Sequence, residues 1–225
     1  MRTAHVSTHR SISFILAIVL GSILFAELAA AGPVDDRNSA DKAQGVLELT
    51  DIPLVWKPTD TISALGAIDL TAFQNAAMQI KPFTDLRLKP NEIGQNAEKR
   101  LANKVLYVTT KDSVALWLTD RFKAIMQELN VPVAAGSGNL TLEGDIVKFY
   151  VTEESTYKAE IGVKIRLRSK NGDVAWEGMI TATAKRWGAS YKAENYYEIL
   201  SNTCIDVVYN LLKSDAFLQA VKKHK

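Results

Sequence analysis

Imidazole and thiol groups are the usual carriers of nucleophilic and metal chemistry, and this chain has three histidines and one cysteine. His5 and His9 stand in the first ten residues, and His224 is next to last. A Ser-His-Asp or Cys-His arrangement needs an imidazole held rigidly beside its nucleophile, and a chain end seldom provides one. A zinc site needs several His or Cys ligands, and beyond residue 9 only Cys204 and His224 exist. Both enzyme classes are disfavoured. Carboxylate-only hydrolysis of cell-wall sugar stays open, but it needs two carboxyl groups about 5–9.5 Å apart across a cleft. The pattern puts most carboxylates in turns or on helix surfaces. The expectation is a protein that is not an enzyme and has no cofactor and no metal.

Binding chemistry is better represented. Lys158, Lys164, Arg166, Arg168 and Lys185 fall on one parity of two long alternating segments, so they share one sheet face. Such a face could meet anionic lipid, a glycan or an acidic partner, although Glu160 and Glu177 are interleaved and favour plain solvation. Trp187, Tyr191, Tyr196 and Tyr197 cluster before and within the last long helix. Aromatic side chains bury well at interfaces. Packing is the favoured reading for Trp187 and Tyr197, and Tyr191 and Tyr196 are the expected exposed pair. Asp85 and Arg87 could hold a ligand carboxylate or amine, but the commoner role of such a pair is to pin a loop. Glu153 and Glu154 are expected to be solvated in a turn. Gly136-Ser137-Gly138-Asn139 lacks the Lys-Ser/Thr of a phosphate loop. Cys204 lies on an apolar helix stripe and should be a buried small hydrophobe.

These groups must be positioned outside the cytoplasm. Arg2 and Arg10 precede the apolar run Ser11–Ala26, and Ala29-Ala30-Ala31 follows. Basic start, apolar middle and small-residue exit predict a secretory signal peptide over residues 1–31, with cleavage after Ala31 and a periplasmic or secreted product. The run is short of the roughly 20 residues that cross a bilayer, and no later stretch is apolar enough to span one. The chain's 27 Lys+Arg and 25 Asp+Glu fall, on loss of Arg2, Arg10 and Glu27, to 25 against 24. A net +1 gives no general attraction to nucleic acid.

Residues 32–45 are polar, small and turn-rich, and read as a flexible linker. Residues 46–75 alternate apolar patches with Pro53, Pro58 and Gly66, and read as an extended lead-in arm. Residues 76–225 form the predicted α+β domain: an antiparallel sheet of about four strands with helices packed on one face. Residues 76–83 read as a short strand, with Pro82 suggesting a sheet edge. Residues 84–104 read as a loop and Val105–Val108 as a strand. A helix is expected over 112–130, capped by Asp112, with Val114, Leu118, Phe122, Ile125 and Leu129 on one face. A parity switch near Ile146–Val147 suggests a bulge. Asn171-Gly172 predicts a two-residue hairpin turn. That turn sets Leu167 against Trp176, Ile165 against Gly178, Val163 against Ile180 and Arg166 against Glu177. A helix over about 192–213 and a short last helix close the domain.

Ile80-Lys81-Pro82-Phe83-Thr84-Asp85-Leu86-Arg87, followed by Ile93-Gly94, resembles the opening of the YajG-like bacterial envelope lipoproteins. The Asn-Gly-Asp hairpin with Trp176 beyond it, the Tyr-rich helix ending in Asp215-Ala216-Phe217, and Val55-Trp56-Lys57-Pro58-Thr59 extend the likeness over roughly 47–221. The resemblance implies an envelope protein, and no catalytic residues come with the family. A more distant likeness, to auxiliary lipoproteins of lipid-transport systems, implies a membrane complex as partner. The chain departs from both at the leader exit, which lacks the lipidated cysteine. The leading expectation is a binding or assembly protein whose partner is an envelope protein or membrane complex.

Overall fold

The computed structural model describes residues 48–62, 66–98, 104–188 and 190–225. The chain divides into two units, 1–45 and 46–225, and the second is the α+β domain. The expected signal peptide over 1–31, its expected cut after Ala31 and the expected linker 32–45 lie outside the described residues. After a 3-10 turn at Leu70–Phe73 come strands β1 (Met78–Ile80), β2 (Thr84–Asp85), β3 (Glu92–Asn96) and β4 (Leu106–Thr109). Helix α1 (Val114–Glu128) follows, then β5 (Leu140–Glu153), β6 (Thr156–Ser169), β7 (Val174–Trp187), α2 (Ala193–Leu212) and α3 (Asp215–His224).

The α+β class stands, but the sheet has seven strands and is mixed, where about four antiparallel strands were expected. Its path is β4-β3-β5-β6-β7, with β1 and β2 also paired to β5. The long β5 is the spine. β6 lies antiparallel on one side of it, and β1, β2 and β3 follow one another, all parallel, along the other. The segment expected as a loop, 84–104, therefore contains β2 and β3. These strands have two and five residues and no alternation of their own, so only the backbone of β5 makes them strands. β1 is not a bare edge: Met78 N–H donates to the Pro132 carbonyl at 3.0 Å, and Ala134 N–H donates to the Met78 carbonyl.

The hairpins follow side-chain parity. Leu167 faces Trp176, Ile165 faces Gly178, Val163 faces Ile180 and Arg166 faces Glu177. The bulge falls between Ile146 and Lys148. The turn itself differs from expectation. Gly172 alone takes a positive φ (+89°), while Asn171 does not. Gly172 N–H donates to the Ser169 carbonyl and Ser169 N–H to the Asp173 carbonyl, both at 2.9 Å. This is a three-residue loop closed by a glycine in the left-handed region. A compensating irregularity between Leu167 and Arg168 restores the register.

One sheet face is covered. Leu142, Ile146, Phe149, Val151, Tyr157, Ile161, Val163 and Ile165 point into the core. α2 packs over β6 and β7, α3 over β7, and α1 beside α2. Phe83 meets Phe122 edge-on at 4.9 Å, and Trp176 meets Phe217 at 5.3 Å. The N-cap of α1 is Ser113, whose Oγ accepts from Leu116 N–H; Asp112, expected there, accepts instead from Leu54 N–H at 2.7 Å. The lead-in is ordered where described. Ile52 and Leu49 bond the backbone of Thr109 on β4, and Lys57 and Thr59 bond Ser201 and Asn202 on α2.

Candidate functional site

Residues 86–91 join β2 to β3 because both strands pair with β5 at separated points, leaving a short excursion between them. Arg87 fixes its shape. Its guanidinium forks onto the Asp85 carboxylate at 2.9 and 2.7 Å and donates to the carbonyls of Glu92, Phe149 and Pro90. The two side chains are only 8% and 13% exposed. Asp85 and Arg87 thus take the pinning role, and every donor that could have met a ligand is directed at the fold.

With Arg87 turned inward, its neighbours Leu86 and Leu88 are held outward; Leu88 is fully exposed and Leu86 more than half exposed. Half-exposed Val147 stands beside them, displaced outward at the bulge. The group borders an open cleft of about 400 Å³ walled by Phe149 and Tyr150 and flanked by Lys89 and Lys148. Each lysine rests over a tyrosine ring, Lys89 over Tyr107 at 5.1 Å and Lys148 over Tyr150 at 5.0 Å. The Tyr150 hydroxyl donates to Glu92 at 2.9 Å, and burial pushes its pKa upward. Sequence reasoning missed this cleft. Its one signal was a pair of leucines alternating with Arg87 in a stretch otherwise read as polar loop.

The basic hairpin face proves largely self-neutralised. Arg166 reaches Asp145 at 2.8 Å and Glu143 at 3.5 Å, Arg168 reaches Glu143 at 2.9 Å, and Lys164 reaches Glu177 at 2.9 Å. The hydrogen bond from Arg168 is the largest cause holding the Glu143 carboxyl below its usual range. Lys158 bonds Glu160. Lys185 has no ion pair among the described residues, and it lies directly across from Lys158.

The aromatic expectation is overturned. Tyr196 is completely buried, and its hydroxyl donates to Glu153 at 2.9 Å. Tyr191 is half-buried: its N–H donates to Glu153, and its hydroxyl accepts from Leu49 N–H at 3.0 Å. Glu153, expected in solvent, is sealed inside, and burial raises its pKa. The face of α2 that carries Tyr196 is apolar, so the tyrosine needed a polar partner inside, and the end of β5 supplies it. Trp187, expected to pack over the sheet end, is 85% exposed. Cys204 is buried as expected, and desolvation pushes its thiol pKa up. Among the described residues no group of three or more His, Cys, Asp or Glu could hold a metal ion. No described helix is long and apolar enough to cross a membrane.

No family model and no curated protein matches the chain. Solved structures do. A Xanthomonas campestris protein assigned to the DUF330 family matches with a TM-score of 0.50 at 12% identity, over 80% of this chain and 96% of that one. The PelC dodecamer of Paraburkholderia phytofirmans matches at 0.40 and 12%, over 67% and 96%. Lipoprotein GNA1162 of Neisseria meningitidis matches at 0.26 and 12%, over 52% and 88%. At such identities the likeness is one of fold alone. The class it defines is the α+β domain of the Xanthomonas protein.

Proposed function

We propose that this protein is a non-catalytic component of the bacterial cell envelope, exported by its signal peptide, that works by holding another envelope protein against the Leu86–Leu88 cleft. The observation that carries the reading is the Arg87 brace. A buried guanidinium is committed to a loop whose product is two leucines in water, and apolar side chains held out in this way mark an interaction surface. The YajG-like resemblance and the signal-peptide pattern support an envelope setting. The residues with chemical potential are absorbed elsewhere: Asp85 and Arg87 in the brace, Glu153 under Tyr196, Cys204 in the core. An anionic lipid or glycan on the hairpin face ranks second, because four of its five cations already have carboxylate partners.

The test uses the exported protein as bait on solubilised envelopes, beside the Leu86→Asp, Leu88→Asp double variant. The wild type is expected to retain a protein that the variant releases, with unchanged circular dichroism. Equal retention by both would refute the assignment of the cleft. Hydrolysis of peptidoglycan by the purified protein would refute the non-catalytic reading.

A further inference from the structure

β7 ends the sheet, and it is an unusually long edge. It runs for fourteen residues and pairs with β6 on one side, and no described strand pairs with the other. It contains no proline, and its one irregularity lies at its start, opposite Leu167 and Arg168. Long exposed edges are templates for another strand, and proteins commonly blunt them. The one side-chain hydrogen bond to the backbone of this edge among the described residues comes from Asn210, whose Nδ2 donates to the Thr181 carbonyl at 2.9 Å. That bond shows which way the backbone points. Thr181 turns its polar groups to the free side, and by alternation so do Glu177, Met179, Thr183 and Lys185. A carbonyl oxygen has two lone pairs, so the Asn210 bond leaves Thr181 able to accept again.

We propose that β7 pairs antiparallel with β7 of a second copy, about a two-fold axis through Thr181. In that register Met179 lies opposite Thr183, and Glu177 of each copy lies opposite Lys185 of the other. Displacing the axis by one or two residues in either direction separates those charges and sets Lys185 against Ala175, Met179, Thr181 or, in the turn before the strand, Asp173. Among residues of the strand itself, self-complementarity of charge therefore selects one alignment, since Asp173 belongs to the hairpin turn, its carbonyl accepting from Ser169 N–H. It also answers an imbalance within the single chain. Lys185 faces Lys158 across the β6–β7 ladder and has no carboxylate partner among the described residues, and directly opposed like charges destabilise a sheet. Glu177, which already bonds Lys164 at 2.9 Å and lies 3.9 Å from Arg166, is half-exposed and can take a further cation. On the core side, Ile180 would adjoin Ala182 and Gly178 would adjoin Ala184, small or apolar residues that allow close approach. This isologous contact uses a different part of the molecule from the Leu86–Leu88 cleft and stands independently of it.

Sedimentation equilibrium of the purified protein tests the pairing. The wild type is expected to dimerise with concentration. Glu177→Lys and Lys185→Glu each set like charges against one another twice, and each should weaken dimerisation by about tenfold or more. An equimolar mixture of the two variants places every lysine opposite a glutamate and should recover the wild-type affinity. Both residues are solvent-exposed, so each variant should keep its fold, which circular dichroism checks. Glu177→Cys and Lys185→Cys proteins should form a disulfide when mixed and oxidised but not separately, because only the mixture brings the thiols within bridging distance. A wild type that stays monomeric overturns the proposal, as does a mixture that associates no better than its components. Leu86→Asp with Leu88→Asp should leave the dimer intact, so failure of the cleft and failure of the edge are read separately.

Discussion

Replacing Arg87 by alanine should be the most costly change available in the loop that shapes the cleft. The guanidinium is 8% exposed and supplies both ionic bonds to Asp85 together with the donors for three backbone carbonyls. Its removal leaves a nearly buried carboxylate without a cation. Breaking a buried pair from one side costs about 3–5 kcal/mol. Asp85 retains the Arg87 backbone N–H at 3.1 Å, and the Pro90 carbonyl is close to solvent, so the lower end, about 3 kcal/mol, is expected. For a domain of this size that corresponds to a fall in Tm of about 6–12 °C. Arg87→Lys keeps the charge but loses the fork, and should cost about half as much. Urea unfolding followed by tryptophan fluorescence measures both. Lys111→Ala is the control, since Lys111 pairs with Asp51 at 3.0 Å on the open surface and should change stability by less than about 1 kcal/mol. The reasoning fails if Arg87→Ala costs no more than Lys111→Ala. It also fails if Arg87→Ala retains the proposed envelope partner as well as wild type, because the leucines would then not need the brace.

Burial raises the Glu153 pKa above its reference of 4.5, so the folded state favours the protonated acid. Its stabilising contribution is complete below the unfolded carboxyl's pKa and is lost as pH rises through the higher folded value. Glu153→Gln should flatten that decline in a series of unfolding free energies against pH, and superimposable profiles would show that Glu153 does not titrate on folding. Gly138→Ala should destabilise by about 1–3 kcal/mol, since the added Cβ would overlap the Ala77 carbonyl oxygen. A neutral effect on chemical denaturation would show that the Gly138 backbone can move away from the start of β1.

What was legible in the sequence was what is encoded locally. Along β6 and β7 the alternation of side chains and the Asn171-Gly172 signal set the strand pairing, even though the turn has three residues and not two. The bulge was visible because inserting one residue must switch parity. The cleft was not legible. Leu86 and Leu88 looked like scattered apolar residues, since nothing near them in sequence reveals that Arg87 is anchored on the Phe149 carbonyl, 62 residues away. The same limit hid Tyr196: the helix pattern placed it off the main stripe, while its partner Glu153 lies inside, at the end of a strand 43 residues earlier.

The sequence by itself thus determined the α+β class, the long hairpin and its register, the helices and the shortage of imidazole and thiol, because periodicity, turn chemistry and composition act over a few residues. Only the tertiary structure decided that β1, β2 and β3 add in parallel to β5, that Tyr196 and Glu153 are interior, and that Arg87 holds two leucines outward. Each of those outcomes depends on which distant segments meet, and short strands and single buried polar groups take their state from the partner they find.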